Sequence, residues 1–402
     1  MNPVVSFLLF IISPFISFLS SLLKPTSKTS FVIYFMFGVL FCWHMGAIQG
    51  NQYDDYFRIV ERFQGSIYTL TDFWNILCDF VTFQTNEKDV YPILLNAVTR
   101  LFSDNSHLYF AIASIPYLLL SLSCVRILVK DKNFPQQGIW ALLIIFLFII
   151  PRDILTVQNP RYTTAFWLVN FVLLKYYDKT TKNRAHYLLL LLLTPLIHSG
   201  IVPMVLIFIL YLCLPKKYGF IKKLFYISIP FSFFSYSLLS QLNYSFLPAN
   251  LSLYVEAHVD EDYYNKYVAH TGSSGFFWVQ NLFENLLYWG YVIITILMIK
   301  WGAHKDYWYG KMFQTLLLLF SLSNFVRFIP VIGDRYIWTV QSLVIFLLYK
   351  IFYPQKKKVF VFILFLWSFH IFMRWFYRGA GTLLVNGNIY YDNLYTLITD
   401  YL

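Results

Sequence analysis

Twelve apolar runs occupy most of the 402 residues: 3–23, 30–48, 107–129, 138–150, 160–177, 185–198, 200–214, 223–241, 280–301, 312–330, 335–353 and 358–377. A helix needs about 20 apolar residues to cross the hydrocarbon of a bilayer. In lipid the backbone must satisfy its own polar groups, which favours helices. The pattern predicts an all-α polytopic integral membrane protein with about 12 transmembrane helices. Several runs are short, and the first is interrupted by Pro14, so it is either a span or a segment lying in the interface. Three stretches between or after the runs are long: 49–106, 242–279 and the tail 378–402. In the first, NQYDDYFRIVERF and NEKDVYPILLNAVTRLF both read as amphipathic helices. Tyr91, Leu94, Leu95, Val98 and Leu101 recur there at helical spacing. The second is acidic and tyrosine-rich, with a Gly-Ser hinge at 272–275.

Composition agrees with this pattern. Hydrophobic residues make up 58% of the chain, against about 45–50% in soluble domains, and mean hydropathy is +0.57. Residues 1–402 read as a single polytopic membrane domain, with no soluble part long enough to fold alone. Met1, Asn2 and Pro3 provide no basic n-region and no small-residue cleavage site follows the first run, so no cleaved signal peptide is expected. Cys42, Cys78, Cys124 and Cys213 show neither metal spacing nor an obvious disulfide pair. Aromatic residues reach 21%; most suit the interfacial belt, and some in the long loops suit stacking on sugars.

Charge then gives orientation. Of 31 lysines and arginines, 20 fall at one set of run ends, nearly all of them lysine, against only Asp131, Asp178 and Asp306. Cytoplasmic loops collect cations, so this set is placed in the cytoplasm and twelve spans leave both termini outside. The remaining 11 cations share the other face with 17 carboxylates, and nine are arginine: Arg58, Arg62, Arg100, Arg152, Arg161, Arg327, Arg335, Arg374 and Arg378. The net charge of +11 is thus a topology signal and does not imply nucleic acid. Lysine suffices to hold a loop inside. Arginine outside suits phosphate, which guanidinium binds bidentately while staying charged. The alternative is pairing with the local carboxylates.

Four constellations could carry chemistry. Asp54 and Asp55 follow the second run, where a carboxylate can take a proton from an acceptor hydroxyl or favour a helix N-terminus. Glu61 and Arg62 are placed to pair locally, and Glu87 with Asp89 forms a second acidic site. In QNPRYTT, Arg161 opens a run behind Pro160, which suits helix entry; it is the foremost candidate phosphate ligand. Arg152 and Asp153 close the preceding run and are placed to pair. His198 ends a run in LIHSG, as a base, a phosphate donor or a helix-end hydrogen bond. Arg327 and Arg335 flank a turn broken by Pro330 and Gly333, beside Asp334: either a diphosphate clamp or an Arg–Asp lock. Arg374 and Glu284 are further candidates. No metal motif, Walker loop, dinucleotide fingerprint or GxSxG element occurs, so no metal and no cofactor are expected.

With these residues in place, the chain resembles the EpsG-like family of Wzy-type O-antigen and exopolysaccharide polymerases. The resemblance rests on Asp54, Asp55 and Tyr56 after an early run, EKDVYPILLN, the arginine of NPRY and the histidine of LIHS, and covers roughly 49–200. It implies a GT-C-like architecture in the bacterial inner membrane, with 49–106, 242–279 and 378–402 in the periplasm. The implied activity is glycosyl transfer between oligosaccharide repeat units carried on undecaprenyl diphosphate. A polysaccharide co-polymerase that sets chain length is an implied partner. A flippase for the same lipid-linked units and an O-antigen ligase remain alternatives, the latter because His258 and His270 lie in the 242–279 loop.

Overall fold

The computed structural model describes every residue except 1, 47–54, 83, 86, 88, 214–217, 234–276, 328–331, 378–383, 386 and 400–402. Among the described residues it is helical almost throughout. The α-helices are α1 (Pro3–Ile12), α2 (Pro14–Ser21), α3 (Lys28–Trp43), α4 (Asp55–Gly65), α5 (Leu70–Val81), α6 (Tyr91–Arg100), α7 (Ser106–Val129), α8 (Ile139–Ile149) and α9 (Pro160–Tyr177). They continue as α10 (Ala185–Ile197), α11 (Val202–Cys213), α12 (Tyr218–Phe231), α13 (Phe277–Lys300), α14 (Gly310–Val326), α15 (Ile332–Phe352), α16 (Lys357–Tyr377) and α17 (Leu394–Thr399). Two-residue strands β1 (Met45–Gly46) and β2 (Leu384–Val385) pair antiparallel, Met45 opposite Val385. Ser106–Val129, Ile139–Gln158, Leu282–Lys300 and Arg335–Phe352 are long and apolar enough to cross a membrane. The chain divides into two compact units. One holds Met1–Asn75, Tyr91–Trp167 and Arg378–Leu402; the other holds Ile76–Val90 and Leu168–Tyr377.

In the first unit the opening apolar run is not one straight helix. Ser13 is extended (φ −153°, ψ 98°), as the residue before a proline prefers, and its side chain caps α2 by accepting from the Ile16 amide. The two helices fold against each other, and Ser17 donates its hydroxyl to the Ser6 carbonyl at 2.9 Å. Serines 6, 17 and 21 are buried, small enough to let the backbones approach. Beyond this pair, α3 packs on α7. A Cβ at Gly38 would lie 2.7 Å from a Leu118 methyl, so the Leu118 side chain would have to shift to admit one. The tail returns here: His44 Nε2 meets the Leu397 carbonyl at 2.9 Å, and Phe10, Phe37, Leu40, Ile389 and Leu397 share one core. Between the two expected amphipathic helices lies α5, a third. Its start is a reciprocal cap: the Thr69 amide and hydroxyl donate to Asp72 Oδ2, and the Asp72 amide donates to Thr69 Oγ1. These bonds hold the Asp72 carboxyl below its ordinary pKa, the Thr69 amide contributing most.

In the second unit, α12 and α15 pack on α14, and α16 packs on α13. The α10–α11 pair is a hairpin, since Tyr211 near the end of α11 returns to Lys311, whose carbonyl accepts its hydroxyl at 3.2 Å. The hydroxyl of Tyr177, at the end of α9, likewise bonds Thr315. Lysines gather at this end on aromatic rings: Lys179 5.1 Å from the Trp308 ring, Lys356 4.6 Å from Trp301 and Lys222 6.0 Å from Tyr218. Tyr218 stacks on His304 at 3.8 Å. Burial and the nearby Lys305 and Lys222 push the His304 pKa down. A buried amide ties three helices together: Asn324 donates to Ser228 Oγ at 2.9 Å and accepts from the Tyr288 hydroxyl at 2.8 Å. Asn324→Leu leaves both hydroxyls without that partner. It is expected to lower stability by about 1–3 kcal/mol, measurable as a lower unfolding midpoint of the purified protein in micelles.

Candidate functional site

Each unit holds one cluster of the residues singled out in the sequence. In the first, α9 begins at Pro160, and Asn159 Oδ1 accepts from the Tyr162 amide at 3.5 Å, a side-chain cap for the new helix. Thr163 donates to the Thr156 carbonyl at 2.7 Å, tying that turn to the preceding 3-10 segment Ile154–Gln158. Arg161 therefore sits in the first turn of a helix, half-buried, and faces a cavity of about 140 Å³. Arg58 and Arg62 of α4 line the same cavity with Phe63, Tyr68, Pro92, Asn96, Tyr109 and Asn159. Arg58 and Arg62 stand four apart, so one helix face presents both. Among the described lining residues three are arginine and none is a carboxylate. Such a pocket suits a compact polyanion, with aromatic and amide groups available to a sugar.

Two further arginines of this unit, Arg152 and Arg100, are held by named partners. Arg152 is buried, its guanidinium 4.4 Å from the Tyr162 ring, while its carbonyl accepts from Trp167 Nε1 at 3.0 Å. Arg100 bonds Asp104, Asn96 at 3.0 Å and the Phe63 carbonyl, which packs α6 against the end of α4. Tyr91 is buried, its hydroxyl 3.5 Å from Thr164 Oγ1, and burial pushes its phenol pKa up.

In the second unit, His198 sits at the junction of α10 and α11, where the 3-10 turn Ser199–Ile201 begins. It is 2% exposed and Asp89 is 3% exposed. His198 Nδ1 lies 3.1 Å from Asp89 Oδ2, and the Ser199 amide donates to Asp89 Oδ1 at 2.7 Å. On the other side of the ring, His198 Nε2 is 3.3 Å from Arg335 Nη1. Two backbone contacts hold the turn as well. The Val90 amide donates to the Leu196 carbonyl at 3.2 Å, and the Tyr336 hydroxyl donates to the Gly200 carbonyl at 2.8 Å. A carboxylate, an imidazole and a half-buried guanidinium thus form one chain of hydrogen bonds, an arrangement that can orient a histidine for proton transfer.

Arg327 faces different partners. Its guanidinium lies 3.4 Å from the Tyr288 ring centre and donates to Asn285 Oδ1 at 2.6 Å. Glu284 neighbours Asn285 on α13 and is half-buried. Glu87 is half-buried in the turn before Asp89, its amide bonded to Thr85 Oγ1 at 3.1 Å. Asp54, Arg378, His258 and His270 lie outside the described residues, as do the side chains of Asp55, Asp334 and Arg374. Arg161, His198 and Arg335 were legible as single motifs. The pairing of His198 with Asp89 was not, because 109 positions separate them. Arg58 and Arg62 carried one signal, their spacing of four.

No protein-family model, no curated protein and no solved structure matches this chain.

Gly333 decides where Arg335 stands. A Cβ there would lie 2.5 Å from both the Cα and the carbonyl oxygen of Arg327. Gly333→Ala must push the first turn of α15 off the end of α14, at about 1–3 kcal/mol. The expected result is a lower unfolding midpoint than wild type; an unchanged midpoint would mean that the turn yields freely.

Proposed function

We propose that this chain is a multi-pass membrane glycosyltransferase acting on sugars carried by a polyprenyl diphosphate, and specifically a Wzy-type polymerase. The observation that carries the reading is the arginine pocket. Arg58, Arg62 and Arg161 converge on one cavity, and a diphosphate is a lipid-linked group that suits three guanidinium groups. In this reading the apolar runs cross the bacterial inner membrane in a GT-C-like arrangement. The arginine-bearing ends face the periplasm and the lysine-bearing ends the cytoplasm. A growing chain on undecaprenyl diphosphate is the donor and a single lipid-linked repeat unit is the acceptor. A chain-length co-polymerase is the protein partner.

The acceptor hydroxyl oxygen attacks the anomeric carbon of the donor's reducing-end sugar. The bond from that carbon to the diphosphate oxygen breaks, and undecaprenyl diphosphate leaves with both electrons. The hydroxyl proton passes to a base, for which His198 is the favoured residue, with Asp54 and Asp55 as alternatives. Diphosphate is a good leaving group, so charge stabilisation outweighs acid catalysis. Preorganised arginine donors supply it, each worth roughly 3–4 kcal/mol when well placed. A flippase would use a charged path at bilayer depth, whereas the charged residues here gather at helix ends.

Arg161→Ala and the pair Arg58→Ala with Arg62→Ala test the reading in a strain whose surface polysaccharide depends on this gene. At normal protein level, each is expected to shorten the polysaccharide ladder on a gel toward a single added repeat. Rates should fall about 10²–10³-fold for the loss of one preorganised donor. A full-length ladder from Arg161→Ala would remove the pocket from the chemistry. Loss of even the single repeat, with lipid-linked units accumulating, would shift the function to flipping or ligation.

A further inference from the structure

The hydrogen-bond chain around His198 admits only one proton arrangement. A guanidinium has donors and no acceptor. Arg335 Nη1, 3.3 Å from His198 Nε2, therefore requires a lone pair on Nε2. The ring proton then sits on Nδ1 and is donated to Asp89 Oδ2, 3.1 Å away. The second carboxylate oxygen accepts from the Ser199 amide at 2.7 Å. Asp89 is thus used on both oxygens, by two consecutive residues of the same turn. We infer that Asp89 is a positioning residue, which fixes His198 as the Nδ1–H tautomer so that Nε2 is the nitrogen that takes the acceptor's proton. The inference rests on the reading of His198 as the base.

A merely structural clamp would not need a carboxylate. Burying an ionised acid is costly unless its oxygens are satisfied, and the backbone of this turn has other ties in the Val90–Leu196 and Tyr336–Gly200 bonds. Asparagine would still accept from the Ser199 amide. It has only one acceptor oxygen, so its amide nitrogen would face His198 Nδ1 and donate to it. That moves the ring proton to Nε2, where it meets the Arg335 donor head-on. What the carboxylate supplies and the amide cannot is a second acceptor, and hence the tautomer. Arg335 holds the same lone pair that the reaction needs.

The test compares wild type, Asp89→Asn and Asp89→Glu as full-length protein in lipid. Two measurements are made on each: steady-state transfer between undecaprenyl-diphosphate-linked oligosaccharides, and the tautomer of His198 from its ¹⁵N ring shifts, assigned by loss of the signal in His198→Gln. Asp89→Asn is expected to lower kcat by at least about 10²-fold with KM unchanged; in hydrolases built on an Asp–His pair the same swap costs about 10⁴. Its His198 proton should move from Nδ1 to Nε2, and Asp89→Glu should restore Nδ1–H and part of kcat. An unchanged tautomer in Asp89→Asn overturns the inference, as does an unchanged kcat per folded molecule. If wild type transfers no sugar but the tautomer still shifts, the assigned reaction fails while the orienting role of Asp89 is upheld.

Discussion

Burying a carboxylate costs several kcal/mol unless its oxygens are satisfied, and much of the second unit depends on how Asp89 meets that requirement. Non-helical backbone close to lipid must find partners within the protein. The turn between α10 and α11 finds them in three places: its first amide on Asp89, the Leu196 carbonyl on the Val90 amide, and the Gly200 carbonyl on the Tyr336 hydroxyl. The partners come from two distant parts of the chain, the consecutive Asp89 and Val90 and, far downstream, Tyr336. The acidic segment before α6 and the first turn of α15 therefore both converge on the helix junction that carries His198. Two helices of 13 and 12 residues can form a hairpin here because their connecting turn is enclosed in protein.

The two kinds of cation do different physical work. In the second unit, lysines lie over Trp308, Trp301 and Tyr218 at one end of the helices. There a flexible, strongly hydrated ammonium can cover an aromatic surface and still reach water. The arginines at the other end are held flat or forked: Arg327 on Tyr288, Arg335 against a histidine nitrogen. In the first unit, Arg152 stacks on Tyr162 and Arg161 lines the cavity. A planar guanidinium with fixed donors loses less freedom in such places than an ammonium would. This is why an Arg161→Lys exchange would not be conservative.

The sequence pattern carried the helical architecture well where runs were long and apolar, as in α7 and α13. Local chemistry also marked the entry of α9, since Pro160 and Arg161 define its first turn. Other features were hidden for identifiable reasons. Residues 3–23 are apolar throughout, and hydropathy does not register a fold-back that depends on an extended Ser13 and on small serines meeting across the pair. Helix α5 is specified by a Thr69–Asp72 cap within a stretch of mixed polarity. Glu87 and Asp89 were equivalent as sequence, and only packing distinguishes the acid that meets His198. Arg62 could be read only as a partner for its neighbour Glu61; the structure also puts it on the lining of the cavity with Arg58.

The fold-back at Ser13 also changes how the chain counts its crossings. Asn2 and Lys24 lie at the open end of the α1–α2 pair, so in the proposed membrane reading residues 3–23 enter and leave on one face and add no net passage. If the eleven later runs cross as proposed, the parity becomes odd. The amino end then shares the lysine-bearing side with Lys24 and Lys28, and the carboxyl end lies opposite, in place of the common outer location that twelve crossings require. A protease confined to one side of sealed vesicles would then trim one end of this protein and spare the other.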